Sequence, residues 1–368
     1  MGSYHELKVL PIHVAKKGSQ NEEAIVIGEE LESLIDTLGS QIVDRVVQKL
    51  ERPVQATYIG KGKIEEISEK IKELEIDVVI LNAMAKPQQI HTLQRIFEKV
   101  NPDIQVWDRV DLILHIFDKH ATTTEARLQI ELARMRYMGP RIYGMGYVLS
   151  RQGGGIGTKG IGETNTELMQ RHWRREMKKV KDELDKITAN RKMQLDKRRE
   201  SGFKTVSIVG YTNAGKSSLF NLLSGKGTLE KDELFATLDS SIGKLFLNDE
   251  EILVSDTIGF IRDLPPTLIS AFKSTLMESV HADILLHVVD ASDPEIHTKI
   301  TVVQDILRDL GRHESDVLYV FNKIDKLENT DEILENFASL SPIVISVVKE
   351  EGIDELREKI TEKLSITV

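Results

Sequence analysis

Gly210-Tyr211-Thr212-Asn213-Ala214-Gly215-Lys216-Ser217 has the spacing G-x-x-x-x-G-K-S, that of a loop that wraps phosphate groups. The chemistry needs these types. Glycines let the main chain approach the phosphates, and the helix start that follows adds unsatisfied N–H groups and a positive dipole end. Lys216 is expected to reach the β- and γ-phosphates and Ser217 to hold Mg²⁺, with nucleotide contacts running from Gly210 to Ser218. Asp256-Thr257-Ile258-Gly259 offers a second metal-side carboxylate and a glycine N–H for the γ-phosphate. In Asn322-Lys323-Ile324-Asp325, the carboxylate of Asp325 can accept two N–H groups from a guanine edge, a pair that adenine lacks. Each four-residue string is weak alone. In this order, each at the end of an expected strand, they specify GTP.

These strings need elements to hold them. Between 202 and 368 strands are expected at Thr205–Gly210, Glu251–Asp256, Ile284–Asp290, Val317–Phe321 and Ile343–Ser346, with helices at Ser217–Leu223 and Ile353–Leu364. Three of the strands are nearly continuous apolar runs, as strands covered on both faces require. Upstream, Thr124–Met138 has a helical period that Pro140 should end or bend. From Glu163 to about Glu200 a long helix is expected. Its Trp173, Met177, Val180, Leu184 and Ile187 form a single apolar seam, which needs one partner. The simplest arrangement is an antiparallel hairpin with the glycine-rich Arg151–Asn165 stretch at its tip. Residues 1–118 alternate strands (Asp77–Asn82, Asp103–Trp107) with helices (Lys63–Leu74, Gln88–Val100), as a small α/β domain does. The expected fold is α/β: domain 1–118, hairpin 119–201, and a C-terminal phosphate-loop domain 202–368 with a mostly parallel sheet.

The 368 residues carry no cysteine, which excludes disulfides and thiolate metal sites, and the ten histidines show no metal-ligand grouping. No apolar run is long enough to span a membrane, and no signal peptide is evident, so the cytoplasm is expected, with peripheral membrane association left open. The net charge of −10 excludes a uniformly basic nucleic-acid coat. Arg171–Arg199 nevertheless holds 12 Lys or Arg against 5 Asp or Glu. Arg171, Arg174, Arg175, Lys178 and Lys181 share a face that reads either as solvated or as a phosphate contact. Trp107 and Trp173 read as packing anchors. Gly155-Ile156-Gly157-Thr158-Lys159-Gly160 lacks the preceding strand that a dinucleotide site requires.

Together these motifs resemble the HflX family of ribosome-associated GTPases, of the translation-factor-like class. Leu234–Asp239 is similar to its switch I and Asp256–Pro265 to its switch II. Tyr58–Lys63, Asp108-Arg109 with Leu112-Ile113-Leu114, and Gly153–Glu163 are similar to further family segments. The resemblance implies that Lys216, Thr237 and Gly259 serve catalysis, and that Ser217, Thr237 and Asp256 serve the metal. It also implies that Asn322, Lys323, Asp325, Ser346 and Val347 read guanine, although Val347 stands where alanine is usual. Relatives often carry a further C-terminal domain, which is expected to be absent here. Asn213 either holds K⁺ beside the phosphates or braces its own loop. Phe260 follows the switch II glycine where many GTPases orient the attacking water with glutamine, so hydrolysis should be slow alone and quickened by a partner. Arg262 is read as a switch-surface residue rather than an arginine finger. The resemblance tips the basic helix towards rRNA. It implies a monomeric GTPase on the large ribosomal subunit that splits or rescues stalled ribosomes under stress. The alternatives are a GTP-gated RNA-modification factor and a non-catalytic nucleotide-dependent adaptor.

Overall fold

The computed structural model describes residues 7–17, 21–152, 165–225, 241–257, 259–262, 264–265, 268, 281–312 and 317–365. The chain divides into two compact units, 1–119 with 130–182, and 120–129 with 183–368.

In the first unit β1 (Lys8–Lys16), β2 (Gln41–Ile42), β3 (Val46–Leu50), β4 (Val78–Leu81) and β5 (Gln105–Asp108) form an all-parallel sheet in the order β2-β1-β4-β5, with β3 also on β1. The helices are α1 (Asn21–Leu38), α2 (Lys61–Leu74), α3 (Pro87–Phe97) and α4 (Arg109–His120). β4 is buried at every position, and α2 turns Ile64, Ile67 and Ile71 into the core at helical spacing. The strands and helices expected here are present, with ends shifted by up to three residues. Trp107 is buried and stacks on His115 at 4.2 Å.

Helices α5 (Thr124–Gln152) and α6 (Asn165–Glu200) run through both units. In the first unit the Trp173 indole donates to the Met135 carbonyl (3.1 Å), and in the second Arg191 pairs with Glu125 (2.8 Å), so the helices are antiparallel. Of the seam, Val180 and Leu184 are buried and Trp173, Met177 and Ile187 half-buried. Pro140 does not end α5, which continues to Gln152. A proline inside a helix removes one backbone hydrogen bond, a loss that packing against neighbours can absorb. One residue further on, Arg141 ties α5 to the sheet end, donating to Asp111 (2.7 Å) and Asp108 (2.9 Å), while Tyr137 also bonds Asp108. Burial and the neighbouring Asp111 charge push Asp108 up to about 6. The stretch 153–164 lies outside the described residues.

In the second unit β6 (Lys204–Gly210), β7 (Ser241–Leu247), β8 (Glu250–Asp256), β9 (Ile284–Asp290), β10 (Val317–Asn322) and β11 (Ile343–Val344) form a sheet in the order β11-β10-β9-β6-β8-β7. All pairs are parallel except β7 with β8, an antiparallel hairpin. Its Asn248-Asp249 turn takes positive φ at both residues (46° and 64°), the geometry that matches strand twist. α7 (Lys216–Ser224) and α10 (Ile353–Lys363) cover one face, and α8 (Ile296–Asp309) covers the other; α9 (Asp331–Asn336) is short. Among the described residues no helix is long and apolar enough to cross a membrane.

Candidate active site

The phosphate loop joins β6 to α7, and its shape is imposed from outside. Gly215, at φ 92°, caps α7, and a Cβ there would lie 2.2 Å from Asn322 Nδ2. Such closeness and such a φ admit glycine alone. Asn322 Nδ2 donates to the Ala214 carbonyl (3.0 Å), and its Oδ1 accepts the Val347 N–H (3.1 Å). Lys323, itself at φ 68°, sends its ammonium to the Asn213 carbonyl (2.7 Å) and to Asp290 (2.8 Å). The Ser346 hydroxyl donates to Asp325 Oδ1 (2.6 Å), the main reason this carboxyl sits below its ordinary range. The expected base readers thus brace the expected phosphate binders. Val347 acts through its backbone N–H, so the replacement of alanine leaves this contact in place.

On the metal side, Ser217 Oγ donates to Asp256 Oδ2 (2.7 Å) at the end of β8. A hydroxyl beside a buried carboxylate is an all-oxygen donor pair that suits a hard divalent cation. Lys216 is buried and donates to the Tyr211 carbonyl (2.7 Å). Burial pulls its pKa down to about 8, against the pull of Asp256. Gly259 closes the far side. A Cβ on it would come 2.7 Å from Thr212 Cγ2 and 2.9 Å from Lys216 Nζ, so only bare main chain fits there.

Phe260 pairs with the loop through its backbone: its N–H donates to Gly210 O (3.1 Å), and Thr212 N–H donates to its carbonyl (2.8 Å). Its side chain is 1% exposed and packs with Val209, Leu285 and Val289 beneath the sheet. The ring is therefore a core residue. Arg262 donates to Glu295 (2.6 Å), and its backbone N–H donates to the Tyr211 hydroxyl (2.6 Å). Asp290, Glu295 and the Tyr211 hydroxyl were not foreseen from the sequence. Only the position of Asp290 at a strand end hinted at a role. Thr237 with the rest of 234–239, Ile258 and Asp263 lie outside the described residues. Asn213 is exposed at φ 62°. Arg171, Arg174, Arg175 and Lys178 are exposed on α6. Among the described residues no cluster of His, Asp and Glu could hold a metal on its own.

Residues 27–118, 120–198 and 205–323 match families described as GTP-binding GTPase N-terminal, GTP-binding GTPase Middle Region and 50S ribosome-binding GTPase. The chain is 41% identical over 346 residues to GTPase HflX of Caldanaerobacter subterraneus subsp. tengcongensis, covering 94% of this chain and 78% of the relative. It is 36% identical over 340 residues to GTPase HflX of Escherichia coli, covering 92% and 79%. A GTP-binding protein from the hyperthermophilic archaeon Sulfolobus solfataricus, solved in complex with GDP, aligns with a TM-score of 0.51 at 27% identity, covering 98% of this chain and 99% of that one.

Proposed function

Since this chain belongs to the HflX family of GTP-hydrolysing, ribosome-binding GTPases, we propose that it is a GTP-controlled switch on the large ribosomal subunit that splits or rescues stalled ribosomes under stress. The observation that carries the proposal is the coincidence, in one chain, of a set of loop-bracing contacts among the described residues and an exposed basic helix. Asn322, Lys323, Asp325, Ser346 and Val347 read guanine, and Gly210–Ser218 wraps the phosphates. Lys216 and Gly259 face the γ-phosphate, and Thr237 is assigned a catalytic role with them. Ser217, Thr237 and Asp256 would hold Mg²⁺, which when bound neutralises charge on the β- and γ-phosphates. The hydroxyl and carboxylate already adjacent at 2.7 Å support that assignment.

Lys216 supplies a fixed positive charge to the reacting end, and burial excludes the water that would screen it. With Phe260 in the core, the chain supplies no side chain at that position to orient water. The reading is therefore slow hydrolysis in isolation and faster turnover when a partner reshapes the switches. Asn213, with its carbonyl engaged by Lys323 and its side chain exposed, is assigned to K⁺; exchanging K⁺ for Na⁺ in a turnover assay checks that. We take 1–118, 119–201 and 202–368 as the functional parts, with Arg171, Arg174, Arg175 and Lys178 of the middle part on rRNA. Co-sedimentation with purified large subunits tests the whole: binding is expected with a non-hydrolysable GTP analogue and lost with GDP. Equal binding in both states would end the switch reading.

A further inference from the structure

The segment Gly259–Arg262 is neither helix nor strand, yet it must keep Gly259 beside the Lys216 ammonium. Glycine contributes the greatest backbone freedom of any residue, so its placement has to be imposed by its neighbours. Two backbone hydrogen bonds between Phe260 and the loop do part of this. The rest converges on Tyr211, the second residue of the phosphate loop, where the G-x-x-x-x-G-K-S pattern demands no particular side chain. Tyr211 forms a parallel bridge with Phe260 through its backbone, and its hydroxyl accepts the Arg262 N–H at 2.6 Å. The side chain is 6% exposed, and the Lys299 ammonium stands 4.9 Å from its ring centroid while pairing with Asp293. The ring is thus clamped, and its oxygen has a defined position. The Arg262 guanidinium is held by Glu295 at the approach to α8, a second anchor on the same segment.

We propose that Tyr211 is a positioning residue for GTP hydrolysis: by accepting the Arg262 N–H, its hydroxyl holds the Gly259–Arg262 segment so that Gly259 is preorganised over Lys216. The proposal rests on the assignment of Lys216 and Gly259 to the reacting end of GTP. The aromatic body alone would be served by phenylalanine; the hydroxyl is what reaches the switch segment. Preorganised backbone donors act where charge develops, so a loosened Gly259 should affect turnover more than ground-state binding. The role weighs more here because the side chain at 260 is committed to the core.

The experiment uses the full chain. Tyr211→Phe is expected to lower kcat for GTP hydrolysis about two- to tenfold, the worth of one ordinary hydrogen bond. KM for GTP, affinity for GDP and melting temperature should not change. Hydrogen exchange at the Arg262 amide should accelerate. Glu295→Ala, which removes the acceptor of the Arg262 guanidinium without touching the phosphate loop, should also lower kcat, and the double variant should lose less than the product of the two effects. Lys216→Ala separates the two layers of the argument. If it still hydrolyses GTP, the site assignment fails. If it is inactive while Tyr211→Phe keeps full kcat, the positioning role fails. An unchanged Arg262 amide, or a fall in kcat matched by a fall in GDP affinity and melting temperature, also overturns the role.

Discussion

Asp325, the proposed guanine acceptor, is held in place from within the chain. The Ser346 hydroxyl occupies Oδ1 and holds the carboxyl below its ordinary range, and Lys349 N–H in turn donates to that hydroxyl (3.2 Å). Orientation and charge are therefore set before any base arrives. Asp325→Asn exchanges an acceptor for a donor. It should cost about 1.5–3 kcal/mol of guanine-nucleotide affinity, the worth of a charge-assisted contact, and create affinity for xanthine nucleotides. Competitive titration with GTP and XTP checks this, and unchanged discrimination would remove Asp325 from the base site. Asn322 is expected to read the base because of its motif. Its second task, donating to Ala214 O and excluding any side chain at Gly215, spans 108 residues and has no local signature.

At the scale of elements, Phe260 changes meaning. Its position after the switch II glycine marks it as the place where a water-orienting side chain is missing. Packed at 1% exposure between the sheet and α8, it is a structural anchor. Phe260→Ala should destabilise the protein by about 3–5 kcal/mol, as cavities from buried aromatics do, and urea unfolding followed by circular dichroism measures it. Retention of wild-type stability would place the ring outside the core. Helix α6 answers differently. Its seam faces inward as periodicity implies, and Arg171, Arg174, Arg175, Lys178 and Lys181 are exposed. Replacing Arg171, Arg174 and Lys178 by Glu should abolish large-subunit binding and leave GTP affinity unchanged. Wild-type binding should weaken steeply with added salt, since phosphate contacts release counterions. A charge-reversed protein that still co-sediments at physiological salt would return this helix to a solvated face.

For the whole molecule, nucleotide chemistry and ribosome contact are assigned to different segments of one chain, so their coupling should appear in rates. Purified protein should turn over GTP slowly, and large subunits should raise kcat; equal rates with and without subunits, in a phosphate-release assay, would refute partner activation. The class of chemistry was readable from the linear chain because its determinants are contiguous: a loop of eight residues, two strings of four, and the strands and helices whose periodicity brackets them. The long helices and their antiparallel pairing were readable for the same reason, since one apolar seam calls for one partner. Folding settled what depends on distant or short-range geometry. Helix α5 passes through Pro140, with Trp173 and Arg141 making long-range contacts on either side of it. β7 forms because Asn248-Asp249 can take the left-handed conformation that a two-residue turn requires. The bracing of the phosphate loop by Lys323 and Asp290, and of switch II by Tyr211 and Glu295, joins residues separated by 33 to 110 positions. Spacing along a chain reports local periodicity and says nothing of such meetings, which exist only once a parallel sheet has brought its strand ends together.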